Sequence, residues 1–168
     1  MKNYVIKVTL NNTDCSRTLA IPADYGFGEL NDIIQIAFGW ENYFYHEFDA
    51  GGTVIADDAN EDFDLLPEKF RYEFEANLEF FLMNVKHMTY TYDIEQPWVH
   101  EIEVEGVLEE GFERPVLLES SGRMIVEKTF GRRHDERYLR RRGQQRPDKR
   151  HSFRNLRLLI KANRAAPA

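Results

Sequence analysis

Among the side chains that acid–base or metal chemistry uses, three stand on segments that could converge: His46, Asp93 and His100. Two imidazoles and a carboxylate can bind a transition-metal ion and leave a fourth position for water. The spacing does not select that outcome. No HExxH-like arrangement is present, and the three residues would have to converge from separate segments. A hydrogen-bonded structural histidine beside a strand is the commoner result, because buried polar groups are normally paired. No metal, cofactor or catalytic residue is therefore assigned. Tyr92-Asp93 and Trp98 bracket a turn. They can form a polar cleft with an aromatic wall for a ligand or peptide; alternatively, Asp93 caps the turn through its own backbone while Trp98 fills the core. Arg17 is a natural ion-pair partner for Asp93 or Glu47, with an anion site as the sharper alternative. Arg17, His46, Tyr92, Asp93, Trp98 and His100 together make up the candidate ligand cleft.

Other motifs carry less. Cys15 stands in an expected loop without a matched histidine and lacks the setting of a nucleophile. Gly26-Phe27-Gly28 precedes a helical pattern, but the rest of a dinucleotide fingerprint is missing. Asp57–Asp64 holds five acids in eight residues. It lacks the central glycine of a calcium loop, so it reads as a solvated loop.

Strands and helices must position these groups. Tyr4, Ile6, Val8 and Leu10 alternate with Val5, Lys7 and Thr9, the period of a half-buried strand. Thr18–Ile21 reads as a second strand, ended by Pro22, which has no amide donor. Leu30, Ile33, Ile34, Ala37 and Phe38 recur at helical spacing from Phe27, and Gly39 supplies the stop. Trp40, just after it, reads as core. Tyr43–Phe48 is strand-like, and Gly51-Gly52 turns the chain into Thr53–Ile55. Glu75–Met83 reads as a second helix, while Phe70, Tyr72 and Phe74 alternate just before it, so helix and strand compete there. Lys86–Tyr92, Val99–Val107 and Pro115–Leu118 complete the strands, with Gln96-Pro97 breaking the chain between the first two. The order predicts an α+β fold: a mainly antiparallel sheet with two helices packed on one face.

Several of these segments resemble one family. The opening Tyr4-Val5-Ile6-Lys7-Val8-Thr9-Leu10 is followed by Arg17-Thr18-Leu19-Ala20-Ile21-Pro22. Leu30-Asn31-Asp32-Ile33-Ile34-Gln35-Ile36-Ala37-Phe38-Gly39-Trp40 runs into Tyr43-Phe44-Tyr45-His46-Glu47-Phe48. Tyr90-Thr91-Tyr92-Asp93 precedes Trp98-Val99-His100-Glu101-Ile102. Across roughly residues 4–122 the order and spacing are similar to the plasmid pRiA4b ORF-3-like family. The resemblance implies an α+β fold, no agreed catalytic residue, and an association with plasmids and insertion elements. The chain departs from the family at Phe44, where a histidine is usual, and at Ile94-Glu95-Gln96, where Phe-Gly-Asp is usual. Met124-Ile125-Val126-Glu127 begins the family's next segment, and the likeness is expected to end there.

Charge divides the chain at the same place. The formal net charge of −7 combines an acidic part, residues 1–122, holding seven Lys/Arg against 25 Asp/Glu, with residues 123–168, holding fifteen against four. Residues 1–122 are read as the folded domain and 123–168 as an irregular basic tail. Three readings of the tail stand together. Arg132, Arg133, Arg140, Arg141 and Arg142 can form a nucleic-acid arm that releases counterions, with Phe130, Tyr138 and Phe153 stacking on bases. The tail can also fold back on the acidic body through long-range attraction. Or it is a frameshifted C-terminus: one permitted codon choice for His134–Gly143, read one nucleotide on, gives Met-Met-Ser-Asp-Ile-Phe-Ala-Glu-Glu-Gly, an acidic helix-like string.

At 168 residues and 42% apolar content the chain can build a real core. A single cysteine excludes a disulfide framework and suits a reducing compartment. There is no apolar run of membrane-spanning length and no apolar signal stretch at the start, so a cytoplasmic, non-membrane protein is expected. The expected function is a non-enzymatic binding or interaction module associated with plasmids or mobile DNA, with nucleic acid or protein as partner. The alternative is a metal-assisted hydrolase using a His46/Asp93/His100 cluster.

Overall fold

A two-residue period buries alternate side chains on one side of a strand, and β1 (Asn3–Leu10) accordingly turns Tyr4, Ile6, Val8 and Leu10 inward. The computed structural model describes residues 1–57, 67–93, 96–123 and 125. Most of the acidic stretch Asp57–Asp64 and the arginines Arg132, Arg133, Arg140, Arg141 and Arg142 therefore lie outside the described residues.

β1 pairs with β2 (Ser16–Pro22), and the chain then enters α1 (Phe27–Phe38). Glu29 reaches back to accept a hydrogen bond from Gly26 N at 2.6 Å, occupying an otherwise orphaned amide at the helix start. Gly39 ends α1 at φ 77°, in the left-handed region where glycine carries no Cβ penalty, and Trp40 N closes on Gln35 O at 2.8 Å. The predicted helix and its stop are both present.

β3 (His46–Ala50), β4 (Thr53–Ala56), β5 (Phe70–Tyr72), α2 (Leu78–Asn84), β6 (His87–Tyr92), β7 (Trp98–Leu108) and β8 (Val116–Ser121) follow. The eight strands form one sheet in the order β5-β4-β3-β6-β7-β1-β2-β8, antiparallel throughout except for the β4–β5 pair. The architecture is α+β. Both helices meet the sheet face that carries Tyr4 and Phe48. Phe27 of α1 packs edge-on to Phe48 at 5.1 Å and to Phe81 of α2 at 5.5 Å, while Tyr4 Oη contacts Glu79 of α2 at 3.2 Å.

Three local expectations shift. The strand expected over Tyr43–Phe48 begins only at His46, because Asn42 takes a positive φ of 58° and the amides of Tyr43 and Phe44 donate to Tyr92 Oη instead of to a strand. The contest over Phe70–Phe74 resolves as strand β5, whose parallel pairing with β4 supplies partners that a helix would not need. The second helix starts at Leu78 and not at Glu75, since Asn77 caps it by accepting from Phe80 N at 3.0 Å.

Gly122 and Ile125, just past β8, lie against the body of the fold. Gly122 has φ 73°, and a Cβ there would lie 2.3 Å from Asp14 O, so only glycine passes this point without strain. Trp40 Nε1 then donates to Ile125 O at 3.0 Å. Among the described residues no helix is long and apolar enough to cross a membrane.

Candidate functional site

Strand register decides which of the sequence-selected residues meet. His46 pairs with Tyr92, which pairs with Trp98; one step along, Phe48 pairs with Tyr90, which pairs with His100. In a sheet, residues directly opposite share a face, so His46, Tyr92, Trp98 and His100 all lie on the helix-covered side. Trp40, delivered by the stop at Gly39, enters from above. Its indole stacks on Tyr92 at 5.5 Å, meets Trp98 edge-on at 4.7 Å and His100 at 5.1 Å, and stacks on Phe38 at 5.0 Å.

His100 is wholly buried among Phe38, Trp40 and Tyr90, with Nδ1 3.2 Å from Tyr90 O. Burial pushes its pKa down to about 4, although the carbonyls of Tyr90 and Trp98 pull the other way. The ring is a neutral member of the core at ordinary pH.

His46 is equally buried, and its Nε2 meets the carboxylate of Glu73, which arrives from the segment after β5. Glu73 is held by its own amide, which donates to Ala56 O at 3.0 Å. Next to His46, Glu47 points to the opposite face, half-buried, and its carboxyl is raised, first by desolvation and then by Asp49, with His46 opposing.

Of the two carboxylates expected for Arg17, Asp93 or Glu47, the second is on the opposite face. The guanidinium donates to main-chain carbonyls: Nε to Ala37 O at 3.0 Å, Nη1 to Ser16 O at 2.6 Å and to Ser121 O at 2.8 Å. The carbonyl of Ala37 belongs to the last turn of α1, where a cation is favourable. The guanidinium also lies 5.2 Å from the Phe38 ring. Asp93 sits at φ 64°, its amide donates to Tyr45 O at 2.8 Å, and its Oδ1 accepts from Gln96 N at 3.4 Å, which closes the turn.

Arg17, His100 and Trp40 thus surround Phe38, Tyr92 and Trp98 complete the aromatic wall, and His46 stands across Tyr90 with Glu73 behind it. Among the described residues no three His, Cys, Asp or Glu side chains are grouped to hold a metal ion. The convergence of His46, Asp93 and His100 that a shared metal needs is not formed.

The reading of the sequence passed over a second layer. Gln35 Nε2 donates to Tyr90 Oη at 2.8 Å, and Tyr90 Oη donates to Asn31 at 2.7 Å. Asn42 links Asn31, Asp32 and Gln35, its amide donating to Gln35 Oε1 at 2.9 Å. Asn31, Asp32 and Gln35 are all buried on α1. Three polar residues inside an apolar helical stripe were the available signal, since buried polar groups need partners. Glu73 left none, because its contact with His46 depends on β5.

An α+β sheet with two helices on one face and a buried aromatic cluster beneath α1 defines the class. A family model described as plasmid pRiA4b ORF-3-like protein matches residues 2–157, and the chain belongs to that family. The match runs past Gly122 into the basic segment, so the family likeness does not end where the charge changes sign. A solved structure, described as a protein of unknown function from Methanosarcina mazei Go1, shares the fold: its TM-score is 0.62 at 23% identity, over 90% of this chain and 87% of that one. Comparison with curated proteins gives no match.

Proposed function

We propose that this chain is a non-enzymatic binding module, tied to plasmids or mobile DNA through its family. The observation that carries the reading is the shared aromatic wall: Trp40 touches Tyr92, Trp98 and His100, and so gathers sequence-distant candidates into one cluster. Such rings give contact area and orientation. The polar groups beside them are engaged in holding the fold, as with the three carbonyl bonds of Arg17.

Nucleic acid is the proposed macromolecular partner, contacted through Arg132, Arg133, Arg140, Arg141 and Arg142. Arginine contacts to phosphate release counterions, so affinity falls steeply as salt rises. The test measures DNA affinity against salt for the full chain and for a variant with these five arginines changed to glutamine. Binding that weakens with salt in the parent and is lost in the variant supports the arm. Equal and negligible binding by both removes nucleic acid and leaves a protein partner.

A further inference from the structure

Both helices cover the sheet face that carries Tyr4 and Phe48; among the described residues no helix packs on the other. Side chains alternate along a strand, so Asp49, next to Phe48, points to that second face. Register sets Asp49, Thr89, Glu101, Thr9, Ser16 and Ser121 side by side from β3 to β8. In the next row His87, Glu103, Lys7, Thr18 and Glu119 run from β6 to β8. With Glu47, paired to Thr91, the face carries carboxylates on β3, β7 and β8 against only Lys7 and His87. Glu101 meets His87 at 3.3 Å, while Glu47, Asp49, Glu103 and Glu119 have no cation within ion-pair distance among the described residues. The crowding is felt at Glu47, whose carboxyl is raised first by desolvation and then by Asp49.

We propose that this uncovered sheet face is the docking surface for the chain's own arginine-rich segment, residues 132–142, which lies outside the described residues. Charge selects the occupant. Residues 1–122 hold seven Lys/Arg against 25 Asp/Glu, and residues 123–168 hold fifteen against four. Attraction between the two acts over about a Debye length, ~8–10 Å, and becomes specific on contact. A guanidinium donates in pairs to a carboxylate, and the hydroxyls of Thr9, Thr89 and Ser16, set among the acids, accept its remaining N–H groups. Reach allows it. The chain from Ile125 to Arg140 can extend about 50 Å, whereas five strand spacings, about 24 Å, separate β8 from β3. Docking itself does not need nucleic acid. Its consequence rests on the nucleic-acid reading above: phosphates and these carboxylates compete for the same arginines, so the sheet restrains the arm.

The test records amide proton–nitrogen spectra of the full chain at low and high salt, without and with a short DNA duplex. One variant changes Arg132, Arg133, Arg140, Arg141 and Arg142 to glutamine. A face variant carries Asp49→Asn, Glu101→Gln and Glu103→Gln. A charge-matched control carries Glu109→Gln, Glu110→Gln and Glu113→Gln, all exposed beyond β7. At low salt the amides of Thr9, Thr89 and Thr91 should differ between the parent and the arginine variant, and high salt should erase the difference. Amides of α1, on the other face, should match in every variant and so report an intact fold. DNA should move the parent's face amides towards their positions in the arginine variant. The face variant should bind DNA several-fold more tightly than the control. Face amides that match in the parent and the arginine variant at low salt overturn the docking and leave the nucleic-acid reading to its own test. A difference that grows with protein concentration gives the face to a second copy's arginines and overturns docking within one chain. A low-salt difference without any DNA binding supports the docking and removes nucleic acid instead.

Discussion

Two aromatic-rich regions of this molecule do opposite things with their rings. Around Trp40, the rings of Phe38, Tyr90, Tyr92 and Trp98 pack on each other and on His100, and Trp40 is only 2% exposed. At the β5–α2 corner, Tyr72 stacks on Phe74 at 5.4 Å, yet Phe74 is 74% exposed, Phe80 60% and Met83 65%. Composition does not separate the two. Position in the sheet does: the first region lies over the central strands β6 and β7 under α1, the second against the three-residue edge strand β5. An aromatic ring stabilises by the area it removes from water, so the same residue types should weigh heavily in one region and hardly at all in the other.

The sharpest way to break that contrast is Trp40→Ala. It removes the ring that joins α1 to β6 and β7 and should cost about 3–5 kcal/mol, read as a lower urea midpoint. A loss well under this would mean that the wall is loosely packed.

Acid should weaken the same region next. His100 titrates near pH 4 when folded and near its ordinary value of 6.5 when unfolded. Between those values the unfolded chain binds the proton and the folded one does not. Stability should therefore fall as pH drops from about 6.5 to about 4 and level off below, losing on the order of 3 kcal/mol from this group. His100→Leu should flatten that slope in urea titrations at several pH values; an unchanged slope would place the acid sensitivity elsewhere.

Tyr90→Phe keeps the ring but deletes the hydroxyl shared by Gln35 and Asn31. The unmet amide groups should cost about 1–3 kcal/mol. Faster amide exchange in α1 would accompany the loss if this layer fastens the helix to the sheet. At the other corner, Phe80→Ser should change stability by no more than about 0.5 kcal/mol. A large loss there would show that the exposed rings are packed in solution.

The order of strands and helices was legible because local pattern dictates it. The alternation of Tyr4, Ile6, Val8 and Leu10 makes β1, and the apolar stripe ending at Gly39 makes α1. The edges were less legible where a distant group intervenes. The hydroxyl of Tyr92 takes the amides of Tyr43 and Phe44 and so delays β3 to His46, although it lies nearly 50 residues away in the chain. Arg17 shows the same limit: nothing near it in the chain announced that its guanidinium would reach the carbonyl at the end of α1.

Residue type and period by themselves determined an acidic α+β domain, its main elements, its family likeness and the identities of the candidate cleft residues. Tertiary structure alone decided which of them meet. Register set His100 opposite Tyr90, strand β5 brought Glu73 to His46, and the turn at Gly39 laid Trp40 across Tyr92 and Trp98. The reason is that hydrophobic period is encoded over a few neighbouring residues, whereas the partners of a polar side chain depend on which distant strands lie beside it.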